Sequence, residues 1–99
     1  MTAPEQPGRL AETDAVRRKR LLHRSLYTGM KETDLLLGGF ARAHVGALAP
    51  AQLDRYEALL AEPDPAIFDW AIGREAVPPE HDHDVMRLLR EFARRSSPP

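Results

Sequence analysis

The chain has 99 residues, 42% of them apolar and 29% charged, with a formal net charge of -1 and no cysteine. Such a chain supports one modest core, and it leaves out disulfide frameworks, thiolate metal sites and any global attraction to nucleic acid or anionic lipid. Its apolar runs fall far short of the roughly 20 residues that span a bilayer, so no membrane insertion is expected. Glu5, Glu12 and Asp14 interrupt a segment that would be nearly free of acids in a transit peptide, and the expected location is cytoplasmic.

Residues 1–13 hold Pro4, Pro7 and Gly8 among polar residues, the composition of a flexible terminal segment. Thr13 or Asp14 can accept from the free amides of a following turn, so a first helix is expected from there to about 27. Leu22, Leu26 and Met30 recur at i, i+4 and predict a narrow inward stripe. Gly29 is read as the residue that ends or redirects this helix through the left-handed conformation. A second helix is expected from about 30 to 45, with Met30, Leu36, Leu37, Phe40, Ala41 and His44 on a broad apolar face. Gly38 and Gly39 lie in its middle, each costing about 1 kcal/mol relative to alanine. Close crossing by another helix is the favoured reason; a kink or π-bulge is the alternative.

Residues 46–49 make a short link, and Pro50 suits the first position of a third helix, although Ala49 is a weak cap for it. Leu53, Tyr56, Leu59 and Leu60 carry that helix to about 61. Asp64-Pro65, an acidic cap followed by proline, opens a short fourth helix through Ile67, Phe68, Trp70 and Ala71, with Gly73 as its stop. Pro78 and Pro79 predict an extended stretch over 76–82. A fifth helix follows from about 83 to 94, capped by Asp82, with Val85, Leu88, Leu89 and Phe92 facing inward; residues 96–99 read as a flexible tail. No segment alternates with a period of two, so the fold class is all-α, a compact bundle of five short helices over residues 14–95.

Several side-chain groups invite a functional reading. In His81-Asp82-His83-Asp84 adjacent side chains rarely converge on one ion, so a capped helix start accounts for them and no metal site is expected. His44 has no nucleophile or carboxylate spaced with it and reads as a partly buried structural histidine; no catalytic set is found. Trp70 reads as core, with an exposed aromatic anchor beside Ile67, Phe68 and Pro65 as the alternative. The basic run Arg17, Arg18, Lys19 and Arg20 could meet phosphates, but no aromatics interleave, and a solvated face or a dock for an acidic protein is preferred. Gly29-Met30-Lys31-Glu32 suits contact with a partner, because glycine lets another backbone approach and a first-turn glutamate complements the positive helix end. A helix-stop glycine beside a dipole-pairing acid is the plainer reading of the same residues.

Four segments carry a resemblance. They are Arg18-Lys19-Arg20-Leu21-Leu22-His23-Arg24-Ser25, Gly29-Met30-Lys31-Glu32-Thr33-Asp34-Leu35-Leu36-Leu37-Gly38, Tyr56-Glu57-Ala58-Leu59-Leu60-Ala61-Glu62-Pro63-Asp64-Pro65 and Phe68-Asp69-Trp70-Ala71-Ile72-Gly73-Arg74-Glu75. In this order and spacing, residues 18–93 resemble the SdhE family, the FAD assembly factors of succinate dehydrogenase. The resemblance implies a five-helix fold and a monomeric chaperone rather than an enzyme. Such a protein would bind the flavoprotein subunit of succinate dehydrogenase, in some cases that of fumarate reductase, and promote covalent attachment of FAD there without holding a cofactor stably itself. The family's surface signature is Arg-Gly-x-x-Glu. Gly29 and Glu32 match it, which places the partner-binding residues at Thr28, Gly29, Met30, Lys31 and Glu32. Thr28 stands where the family has arginine and offers neither its charge nor its fork, so Arg24 or Lys31 is expected to supply the charge. An antitoxin-like or other regulatory interaction domain is the alternative.

Overall fold

Among the described residues the first helix is α1 (Asp14–Leu26), opened by Thr13, whose Oγ1 accepts the Val16 amide at 3.2 Å. The computed structural model describes residues 12–96. The loose ends expected at 1–13 and 96–99 lie outside that range apart from Glu12, Thr13 and Ser96; Glu12 pairs with Arg20 at 2.7 Å. Four more helices follow, α2 (Lys31–His44), α3 (Pro50–Leu60), α4 (Asp64–Ala71) and α5 (Asp84–Ser96), with 3-10 turns at Val45–Ala47 and Pro79–His81. The described residues form the expected all-α bundle of five helices and contain no strand.

The apolar face of α2 forms the centre, where Leu36, Leu37, Phe40 and Ala41 are buried and α1, α4 and α5 all pack against it. A fully buried side chain of this kind contributes about 1.5–3 kcal/mol relative to exposure. The two adjacent glycines of α2 serve different neighbours. A Cβ on Gly38 would fall 2.8 Å from Leu26 Cδ2 of α1, and one on Gly39 would fall 3.0 Å from Phe92 Cζ of α5. Close crossing on both sides is therefore the reason for the pair, and α2 runs unbroken through it.

The inward face of α1 departs from the expected Leu22, Leu26 and Met30. Leu21 and Ser25 are fully buried, whereas those three are only half-buried. A serine belongs in this core because its hydrogen bonds are met there. Ser25 Oγ donates to the Leu21 carbonyl at 2.7 Å, which leaves it to accept from the Tyr56 hydroxyl of α3 at 2.5 Å. Burial pushes the Tyr56 hydroxyl up to about 12, with the Ser25 hydrogen bond opposing it.

Several helix starts also differ from expectation. Pro63, not Asp64, occupies the cap position of α4, and its carbonyl takes the Ile67 amide at 3.1 Å. Asp64 is left as the first helical residue with its carboxylate available for other partners. His83, not Asp82, caps α5, its Nδ1 accepting the Met86 amide at 3.2 Å, and the helix continues to Ser96. The stretch 76–82 is not wholly extended, because Pro79 fits the first position of the Pro79–His81 turn, where its fixed φ is suitable. Ala49 offers α3 no capping oxygen, and Gln52 Oε1 instead accepts the Ala49 amide at 2.8 Å.

The buried hydroxyl pair gives a direct test. Ser25→Ala should cost about 1–3 kcal/mol, the range for stranding a buried donor, and adding Tyr56→Phe should recover part of that loss in urea unfolding. A double variant that unfolds at the sum of the two single losses would contradict the pairing.

Candidate partner-binding site

The residues between α1 and α2 form a turn fastened at two points. Thr28 directs both its amide and its Oγ1 at Asp34 Oδ1, each at 2.5 Å, so the first turns of α2 fold back on the connection. Thr28's hydroxyl first, and its amide second, hold the Asp34 carboxyl below the usual carboxylate range. One residue on, the Gly29 amide donates to Asp64 Oδ2 at 2.7 Å, while Arg24 Nη2 reaches Asp64 Oδ1 at 3.2 Å and the Leu60 carbonyl at 2.8 Å. Asp64, expected as a helix cap, thus braces the turn from α4.

Gly29 is not in the left-handed conformation that the sequence suggested. Gly73 has the one positive φ among the described residues, and α1 already ends at Leu26. Crowding does not demand a glycine there either, because among the described residues a Cβ at Gly29 would meet nothing nearer than Asp64 Oδ2 at 3.6 Å, ordinary contact. Gly29, Lys31 and Glu32 are exposed, Thr28 and Met30 are half-buried, and Met30 caps α2 without a side-chain hydrogen bond. The five residues therefore lie together on one exposed corner. Of the two side chains considered as substitutes for the family's arginine, Arg24 is engaged by Asp64 and Leu60, whereas Lys31 has no ion pair among the described residues.

Two further residues adjoin this corner and escaped the site reading. Tyr27 is 68% exposed with its ring 4.7 Å from that of His23, and Leu35, on the second turn of α2, is 69% exposed. Large apolar side chains held in water beside a polar turn are the kind of contact that dominates protein interfaces. Leu35 was detectable, since it falls outside the inward register set by Leu36, Leu37 and Phe40.

The other candidate groups have internal roles. Arg17 bonds Asp54 at 2.6 Å and Glu57 at 2.9 Å, Arg18 bonds the Val45 and Leu48 carbonyls at 3.1 and 2.5 Å, and Arg20 bonds Glu12 and Glu57. Those arginines fasten α1 to α3 and to the link before it, instead of presenting a phosphate-binding row. His44 lies half-buried with its ring 4.8 Å from Phe40, and Trp70, also half-buried, packs on the core with its ring 5.5 Å from His81. The His81-Asp82-His83-Asp84 run does not converge: His83 caps α5, Asp84 bonds Gln52 and Arg55, and His81 turns inward to Glu62 at 2.8 Å. His81 does meet Glu62 and Glu80, with donor atoms within 4.8 Å of one another, a grouping no local spacing reveals.

With this corner described, likeness to known proteins becomes informative. A family model described as flavinator of succinate dehydrogenase matches residues 19–93. The chain belongs to this family. Mitochondrial succinate dehydrogenase assembly factor 2 of Dictyostelium discoideum is 42% identical over 77 residues, covering 78% of this chain and 55% of that protein. The FAD assembly factor SdhE of Acetobacter pasteurianus is 38% identical over 80 residues, covering 81% of this chain and 73% of that one. Assembly factor 2-B of Drosophila melanogaster is 36% identical over 96 residues, covering 95% of this chain and 62% of its own length. The chain thus spans 55% to 62% of the length of several mitochondrial assembly factors that it matches. No helix among the described residues is long and apolar enough to cross a membrane.

The Asp34 contacts imply a pH dependence. A carboxyl whose folded pKa is depressed adds stability above its unfolded pKa and loses it as pH falls through the folded value. The turn should therefore loosen only in acid, below the normal aspartate range. Thr28→Val, which deletes the hydroxyl donor, should move the Asp34 titration upward when followed by its carboxyl carbon shift; an unmoved titration would contradict the contact.

Proposed function

We propose that this chain is an assembly factor that docks on the flavoprotein subunit of succinate dehydrogenase, and on that of fumarate reductase where one is made, and promotes covalent attachment of FAD to it. The family match over residues 19–93 carries this reading. The factor acts as a cytoplasmic monomer, by binding rather than by catalysis, and holds no FAD of its own; the bond forms within the flavoprotein while the factor keeps it receptive.

The docking surface is the corner formed by Thr28, Gly29, Met30, Lys31 and Glu32, and Gly29 is the main support for placing it there. Among the described residues neither backbone conformation nor packing requires glycine at that position, so the missing side chain serves something that approaches from outside. Glu32 stands exposed in the first turn of α2 and offers a carboxylate to a donor on the flavoprotein. Lys31 supplies the positive charge that Thr28 lacks, since Thr28 is turned toward Asp34. Tyr27 and Leu35 add apolar contact at the edges.

The test is covalent flavin on the succinate dehydrogenase flavoprotein, read by in-gel fluorescence in cells lacking this gene. Wild type should restore the signal. Glu32→Ala and Gly29→Val should not, the loss of a central contact weakening docking by about 2 kcal/mol or more, while both variants keep the wild-type melting temperature. Full restoration by both variants would remove the corner from the mechanism, and an unchanged signal in the deletion would remove the assembly role.

A further inference from the structure

The arginines of α5 are arranged differently from those of α1. Arg87, Arg90 and Arg94 recur at i, i+3 and i+7, one stripe about 10 Å long at 1.5 Å per residue. They line an open groove of about 570 Å³ whose other wall is Ala71 and Ile72 at the end of α4. Internal partners hold them weakly. Arg87 has one ion pair, to exposed Asp82 at 3.8 Å; Arg94 shares Glu91 with Arg95; Arg90 makes no ion pair among the described residues. Three arginines thus line a trough that, among the described residues, contains a single carboxylate, Glu91, and that carboxylate is shared. On the basic run of α1, by contrast, Arg17, Arg18 and Arg20 are engaged by carboxylates or backbone carbonyls.

The shape and lining of the groove indicate what it takes. A small phosphorylated ligand needs most of its surface enclosed, and this trough is open along its length. The wall opposite the arginines is aliphatic, with Ile72 42% exposed and Ala71 beside it. Guanidinium forks match carboxylates in pairs, and arginine is enriched where proteins meet. We infer that the groove between the end of α4 and α5 is a second docking surface, which takes an acidic segment of the flavoprotein partner: two or three carboxylates spread over the arginine stripe, with an aliphatic side chain against Ile72. The choice of partner rests on the proposed function. Asp64 at the start of α4 braces the Gly29 corner, and Ala71 at its end lines the groove; they stand i and i+7 on the helix, about 10 Å apart along its axis. One interface of ordinary size, about 800 Å² on each side, is wide enough to reach both.

The experiment is calorimetric binding of the full chain to the purified flavoprotein subunit at low and at high salt. An Arg87→Glu/Arg90→Glu variant should raise Kd at least about tenfold at low salt, with a smaller difference at high salt where exposed charges are screened. Arg90→Gln, the milder change, should weaken binding in the same direction at an unchanged melting temperature, and it decides the matter if the double variant unfolds. Wild-type affinity in Arg90→Gln and in a folded double variant, while Glu32→Ala binds weakly, would overturn the groove and leave the proposed function standing. Failure of the wild type itself to bind would overturn both. Displacement of the flavoprotein by ADP, abolished in Arg90→Gln, would replace the acidic segment with a diphosphate.

Discussion

Asp64 accepts the Gly29 amide on one oxygen and the Arg24 guanidinium on the other, so one carboxylate joins the end of α1, the turn and the start of α4. Its place as the first residue of α4 also sets its negative charge at the positive end of that helix. Arg24 continues the connection to the Leu60 carbonyl at the end of α3, one of the acceptors that a helix terminus leaves without an internal partner. Arg18 bonds the Leu48 carbonyl and adds a second donor to the Val45 carbonyl, which also accepts the Leu48 amide. The basic helix therefore closes the ends of its neighbours, and its charge is used in holding the bundle together.

This bracing has a consequence for recognition. A turn that had to order itself on contact would lose affinity to the ordering, whereas one already held on both sides does not. The corner is held by Asp34 from α2 and by Asp64 from α4, and both acceptors are carboxylates, whose hydrogen bonds are stronger than neutral ones. Thr28 takes part in this bracing with two donors, its amide and its hydroxyl, both directed at Asp34.

Local chemistry made the elements readable in the sequence. Thr13, Pro50 and Gly73 mark boundaries through a hydroxyl acceptor, a missing amide hydrogen and a positive φ, each a property of one residue. The paired Gly38 and Gly39 foretold close crossing, although not that two different helices cross there. What the sequence hid depended on partners distant along the chain. Ser25 was absent from the expected stripe of α1, and the Tyr56 hydroxyl that completes its bonding lies 31 residues away. Asp64 had every mark of a cap, and its partners Gly29 and Arg24 lie 35 and 40 residues before it. At the corner itself, Gly29 and Glu32 were visible as a pattern, Leu35 as a leucine out of register, and Tyr27 not at all, because nothing local tells an exposed tyrosine from a buried one. The arginines of α5 were countable, but only the end of α4 makes them a groove.

The most direct measurement is amide hydrogen exchange of the full chain with and without the flavoprotein subunit. If the braced corner is the docking surface, slowed exchange should concentrate in residues 28–35 and at the start of α4, and should vanish in Glu32→Ala. Protection confined to other surfaces, with the corner exchanging as in the isolated chain, would contradict the account.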